Sequence, residues 1–158
     1  MPRLVTLGRR MLHPPRIRTK HAELTLEEIG NSLPGTGEVM ASVSSCFAMC
    51  WHAAAGGNHD LAAYYLRRTR SLLRGLALTR PKYAAQTAAY DAGVLEDLYQ
   101  ALLARDPAAI ERLYRQATDE ANAYHAETGH PYIRWRRPAE PPEKGLDLTS
   151  GGDGEGPG

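Results

Sequence analysis

The stretch 121–130 reads ANAYHAETGH, and it ends an amphipathic pattern with a histidine followed by Gly-His-Pro. With cysteine at 121 and 124 it would be C-x-x-C-H, the pattern that attaches a c-type haem. In such a site two thiols three residues apart meet the vinyl groups on one porphyrin edge, and the next histidine reaches the iron. Here the histidine is kept as His125, but Ala121 and Tyr124 stand where the thiols would be. Neither side chain forms a thioether, so covalent attachment is excluded. Iron–nitrogen coordination by His125 alone stays open. So does a metal-free role, because a histidine in the last turn of a helix complements the helix dipole.

The positions expected to face this stretch from the first long helix are Met40, Val43, Phe47 and Cys50. Phe47 cannot ligate iron. Met40 and Cys50 can, but both residue types ordinarily pack when they lie on an apolar stripe. An iron held here would therefore be five-coordinate, with an open apolar side suited to a diatomic gas, peroxide or a nitrogen-containing ligand. Helical phase puts His52 opposite the core stripe and His59 in a first turn beside Asp60, so both are expected at the surface. Arg67, Arg70 and Arg74 recur on one face as an exposed basic strip, either solvated or meeting haem propionates or an acidic partner. Paired carboxylates at metal-binding spacing, a nucleotide loop and G-x-S-x-G are all missing, which argues against a di-iron site and the commonest hydrolase chemistry.

The elements that must position these residues are helices. The central text is rich in Ala and Leu with few β-branched runs. A helical turn is expected over Leu24–Gly30, and the first long helix over Thr36–Ala55 with Met40, Val43, Phe47, Cys50, Trp51 and Ala54 in line. Gly56 and Gly57 end it, and Asn58 caps a second helix over His59–Leu78. A third runs from Pro81 to Ala104 through Tyr90, Val94, Leu98 and Leu102. Asp106-Pro107 starts a fourth, which carries Ile110, Leu113, Tyr114, Ala117, Ala121 and Tyr124 and stops near Gly129. Short connections make successive helices antiparallel, so the expected fold is an all-α, up-down-up-down four-helix bundle.

A chain of 158 residues suits one such domain, and 19 Lys plus Arg against 18 Asp plus Glu argue against nucleic acid as partner. Residues 1–20 carry Arg3, Arg9, Arg10, Arg16, Arg18 and Lys20 without an acid and read as a basic disordered arm. Residues 21–138 read as the bundle, and the Pro/Gly-rich residues 139–158 as a disordered tail. Secretory and membrane-spanning patterns are missing. Cys46 and Cys50, one helical turn apart, are expected to be buried and reduced, as in a cytoplasmic protein. A homodimer is compatible with this sequence.

Two runs, WHAAAGGNHDLAAYYLRRTRSLLRGLALTRPKYAA and ANAYHAETGHPYIRWRRP, together resemble a family of small bacterial cytochromes of the cytochrome c′-like kind. Trp51, Asn58, Leu61, Ala62, Ala63 and Tyr64 match the family's first block. Asn122, His125, Gly129, His130, Ile133 and Pro138 match its last. The resemblance spans about residues 36–138 and departs from the family at the attachment residues. It implies the four-helix fold and a haem contacted by Ala121, Tyr124, His125, His130 and Phe47, with His125 as the metal ligand. Two readings follow. In one, haem b binds non-covalently through His125; in the other, Tyr124 fills the space of the porphyrin, and the haem-free bundle binds a partner or serves a structural role.

Overall fold

Residues 15–149 are described in the computed structural model, and the chain divides into two units after Gly35. The basic arm expected over 1–20 and the tail expected over 139–158 lie partly outside the described residues. In the first unit, β1 (Arg16–Arg18) pairs antiparallel with β2 (Glu23–Thr25), with Ile17 opposite Leu24. The Thr19 hydroxyl closes the turn by accepting from the Ala22 N–H at 3.0 Å. This hairpin departs from the purely helical expectation.

The helical turn expected at Leu24 starts two residues later, as α1 (Leu26–Ser32). Thr25 and Glu28 form a capping box: the Glu28 N–H donates to Thr25 Oγ1 at 3.1 Å and the Thr25 N–H to Glu28 Oε2 at 2.7 Å. These bonds, the backbone one first, hold the Glu28 carboxyl below its ordinary range.

The second unit is a bundle of helices: α2 (Thr36–Ala55), α3 (His59–Thr79), α4 (Ala84–Ala92), α5 (Val94–Ala104) and α6 (Pro107–Glu127). The two N-caps read from the sequence form as expected. Asn58 Oδ1 accepts from the Leu61 N–H at 3.0 Å, and Asp106 Oδ1 from the Ala109 N–H at 3.1 Å. α2 packs most extensively on α3 and α5 on α6, while α3 also reaches α4 and α5. The core joins Val43, Phe47 and Cys50 of α2 to Ala62, Leu66 and Leu73 of α3, Leu95, Leu98 and Leu102 of α5, and Leu113, Tyr114 and Ala117 of α6.

On α2 the buried face also takes in Cys46, Met49 and Ala53, while Trp51 and Ala54 sit at its edge. Both cysteines are free and buried, and burial pushes the Cys50 thiol up to about 12.

The third helix expected as one piece over Pro81–Ala104 is divided. A 3₁₀ turn (Pro81–Tyr83) leads into α4, and Gly93 separates α4 from α5. A Cβ at Gly93 would lie 2.9 Å from the Ala89 carbonyl oxygen, so the close approach at this joint needs glycine. Periodicity runs through the joint, because Tyr90, Val94, Leu98 and Leu102 are all buried.

The basic strip is also corrected. Arg70 is drawn inward: its guanidinium donates to the Asp91 carboxylate of α4, pairs with Glu96 of α5 at 2.7 Å, and lies over the Tyr99 ring. Arg74 pairs with the second Asp91 oxygen at 2.6 Å. Arg70 and Asp91 side chains are 12% and 13% exposed, so this charge is spent on joining α3 to α4 and α5 rather than offered to a partner.

Beyond α6, Leu148 packs on the core cluster, and the Asn58 amide donates to the Thr149 carbonyl at 3.0 Å. Among the described residues, no helix is long and apolar enough to cross a membrane.

α5 ends on Arg105, which adopts φ 52°. The Asp106 N–H bonds the Ala101 carbonyl and the Arg105 N–H the Leu102 carbonyl, which is a Schellman stop with arginine in glycine's place. The exposed Arg105–Asp60 pair at 3.7 Å is worth little. Arg105→Gly should therefore stabilise the protein by about 0.5–1 kcal/mol, read from urea unfolding. A loss of stability would show that the arginine side chain matters more than its backbone strain.

Candidate functional site

α6 ends in the same kind of stop, with glycine in place. Gly129 has φ 88°, its N–H bonds the Ala126 carbonyl at 3.2 Å, and the His130 N–H bonds the His125 carbonyl at 2.7 Å. This six-to-one bond sets the residue just past the turn against the one five places earlier. The backbone bond closing the helix is thus the bond that joins His125 to His130. Thr128 adds to the stop, its hydroxyl donating to the Tyr124 carbonyl at 2.8 Å.

The chain then runs back along α6, held by Asn122. The Asn122 amide donates to the Trp135 carbonyl at 2.9 Å, and its oxygen accepts from the Trp135 N–H at 2.6 Å. Trp135 is thereby set between α2 and α6. Its ring stacks on Phe47 at 5.7 Å between centroids and meets the His125 ring edge-on at 5.5 Å. Phe47 in turn stacks on Tyr114 at 4.2 Å, and the Tyr114 hydroxyl donates to the Phe47 carbonyl at 3.2 Å.

A cavity of about 330 Å³ lies between the start of α2, the second half of α3, α4, the end of α6 and the returning segment. Ala121, Tyr124, His125 and His130 all line it, as does Met40. Phe47 and Cys50 do not; Phe47 stands behind Trp135, and Cys50 is sealed in the core. Among the described residues, no Asp, Glu, Lys or Arg side chain lines the cavity.

The wall's polar side chains are largely satisfied by the protein. Thr87 donates to the Tyr83 carbonyl at 2.5 Å, Tyr90 to the Ala117 carbonyl at 2.9 Å, and the Gln86 amide to Glu127 at 3.0 Å. Two wall residues keep a buried polar atom without a partner, His125 Nδ1 and Gln86 Oε1, and both atoms are closed off from solvent. Burial pushes the His125 imidazole below the ordinary histidine range; the Ile133 carbonyl pulls it back up, and His130 adds a smaller downward push. Burial thus disfavours the charged form of His125.

His52 and His59, expected at the surface, are both only partly exposed. Each is partly buried, with one ring nitrogen enclosed and unpartnered, beside the turn that joins α2 to α3. Among the described residues, no group of three or more His, Cys, Asp or Glu is arranged to hold a metal ion.

For a haem, the imidazole of His125 on the wall suits an iron ligand. The cavity as a whole does not suit the macrocycle. A closed cavity of about 150 Å³ accepts benzene, so the enclosed part of this half-open one takes about two six-membered rings, and a porphyrin would stand largely outside it. Propionates would also find no Lys or Arg on the lining.

Trp135 and Gln86 complete the site with no signal in the sequence, and Tyr90, which the sequence places on the apolar line of the third helix, also lines it. A tryptophan beyond the last helix, between charged residues, carries no periodic signal. Asn122 did stand out, through the resemblance, and its two backbone bonds are the physical reason an amide is needed there.

Asn122→Ala removes both bonds to Trp135 and should cost about 1–3 kcal/mol in urea unfolding, with a red shift of tryptophan emission. Asn122→Asp keeps the acceptor and should recover part of that loss. Stability should also depend on pH through His125. The unfolded chain takes up its proton at a higher pH than the folded one, so the contribution is present above about pH 6.5 and lost as pH falls. His125→Gln should flatten the curve of urea midpoint against pH below about 6.5. An unchanged slope would show that the imidazole titrates alike in both states.

No protein-family model matches the chain, and no curated protein or solved structure matches it either.

Proposed function

We propose that this protein is a small-molecule-binding helical bundle whose working part is the cavity at the end of α6. In this reading the helices act as four antiparallel columns, α2, α3, α4 with α5, and α6, and the cavity lies where their ends meet the returning segment. The observation that carries the reading is the cavity itself. A half-open pocket of about 330 Å³ with an almost wholly apolar wall has the size and lining of a small-molecule site. Its wall is apolar and aromatic, so binding would be non-covalent and driven by removal of ligand and wall surface from water.

A second reading, haem b with His125 as iron ligand, is favoured by an imidazole at the wall whose charged form burial disfavours, and by the resemblance to the cytochrome c′-like family. Bound there, haem would supply an iron open to a gaseous or nitrogen-containing ligand or to a redox partner. The chain's own part would be to offer His125 and to exclude water with Tyr124, Ala121 and Trp135. This reading requires the cavity to widen.

The two readings part in one experiment on the full chain. The fluorescence of N-phenyl-1-naphthylamine, whose naphthyl rings match the enclosed space and whose phenyl ring would stand at the open side, should rise saturably on addition of protein, and Ala121→Phe, which fills the cavity, should weaken uptake about tenfold or more while leaving helicity intact. Hemin added in parallel tests the second reading: a Soret band lost in His125→Ala would establish it. Uptake of neither compound would leave a haem-free partner-binding or structural bundle.

A further inference from the structure

Resting on the ligand-binding reading of the cavity, we propose that its natural occupant is an uncharged, flat molecule of about two fused six-membered rings. Three observations point to that class independently. The first is size: about 330 Å³ is about twice the space that holds a single benzene ring.

The second is charge. No Asp, Glu, Lys or Arg lines the cavity among the described residues, and burial disfavours the charged form of His125. A carboxylate, phosphate or ammonium inside would give up its hydration without gaining an opposite charge. Four of the polar side chains on the wall are already engaged within the protein. The hydroxyls of Thr87, Thr128 and Tyr90 are turned onto backbone carbonyls, and the Gln86 amide is pinned by Glu127. The unpartnered Nδ1 of His125 and Oε1 of Gln86 are closed off from solvent.

The third is shape. Tyr83, Tyr90, Tyr124 and Trp135 line the space together with Leu73 and Leu76. Tyr124 meets Tyr90 edge-on at 6.0 Å between centroids, as aromatic rings arrange themselves around one another. Such walls offer ring faces and edges to a flat aromatic or fused alicyclic ligand, and little that would favour a flexible chain.

The pair 2-naphthol and 2-naphthoate tests the assignment, since both present the same two rings and at pH 7 differ in charge. Full-length protein should bind 2-naphthol with one-to-one stoichiometry and prefer it over 2-naphthoate about tenfold or more, read by calorimetry. Ala121→Phe should abolish 2-naphthol binding with helicity unchanged; should that variant not fold, displacement of N-phenyl-1-naphthylamine by 2-naphthol from the wild type gives the same information. Equal or tighter binding of 2-naphthoate would overturn the uncharged class. A His125-dependent Soret band with hemin would overturn the two-ring size. Uptake of N-phenyl-1-naphthylamine without either naphthalene would overturn this assignment alone, whereas uptake of none of the three would remove the cavity reading as well.

Discussion

The hydrogen bond from the His130 N–H to the His125 carbonyl closes α6 and reverses the chain, and the architecture of the site depends on it. It forms because Gly129 takes up a left-handed conformation that side chains resist. Once the chain has turned, Asn122 pairs with both backbone groups of Trp135, and the indole comes to rest between Phe47 and His125. Without that return, the end of α6 would face water, and His125, Tyr124 and Ala121 would form one wall of nothing.

Elsewhere the bundle is joined by an unusual mixture of polar and apolar contacts. Arg70 is held by two carboxylates from two helices with a tyrosine face beneath it, and this network lies where Gly93 divides α4 from α5. A half-buried ion pair gains little net stability, since desolvation offsets most of its attraction, but leaving one partner alone there would be costly. Through it, one side chain of α3 is tied to both α4 and α5 on either side of Gly93. The same α4 lines the cavity through Gln86, Thr87 and Tyr90, joined by Tyr83 of the 3₁₀ turn.

The aromatic stack and the cavity lie next to each other and are packed very differently. Phe47 and Tyr114 are nearly parallel, 9° apart, and a hydrogen bond links the Tyr114 hydroxyl to the Phe47 backbone. About three helical turns further along α6, the space beside Tyr124 is not filled. Tyr124 leans on Tyr90 instead of occupying the middle, so the larger side chain lines the space rather than closing it.

Much of this was determined by the sequence alone, wherever a local rule suffices. The N-caps Asn58 and Asp106, the bounds of α2, and the buried line Tyr90, Val94, Leu98 and Leu102 follow from capping chemistry and from a period of 3.6 residues, both of which act over a few residues. So does the grouping of Ala121, Tyr124 and His125, which is one face of one helix. Tertiary structure decided what depends on contacts between distant residues. The apolar period runs unbroken through Gly93, and only the approach to the Ala89 carbonyl makes that glycine a joint. Arg70 reads as one of three exposed cations until Asp91 and Glu96 are brought to it from 21 and 26 positions away in the sequence. Phe47, which the stripe aimed at the site, is held back from the cavity by Trp135, a residue with no helical phase to reveal where it points. A cavity is a property of the space between elements, and no single stretch of sequence contains it.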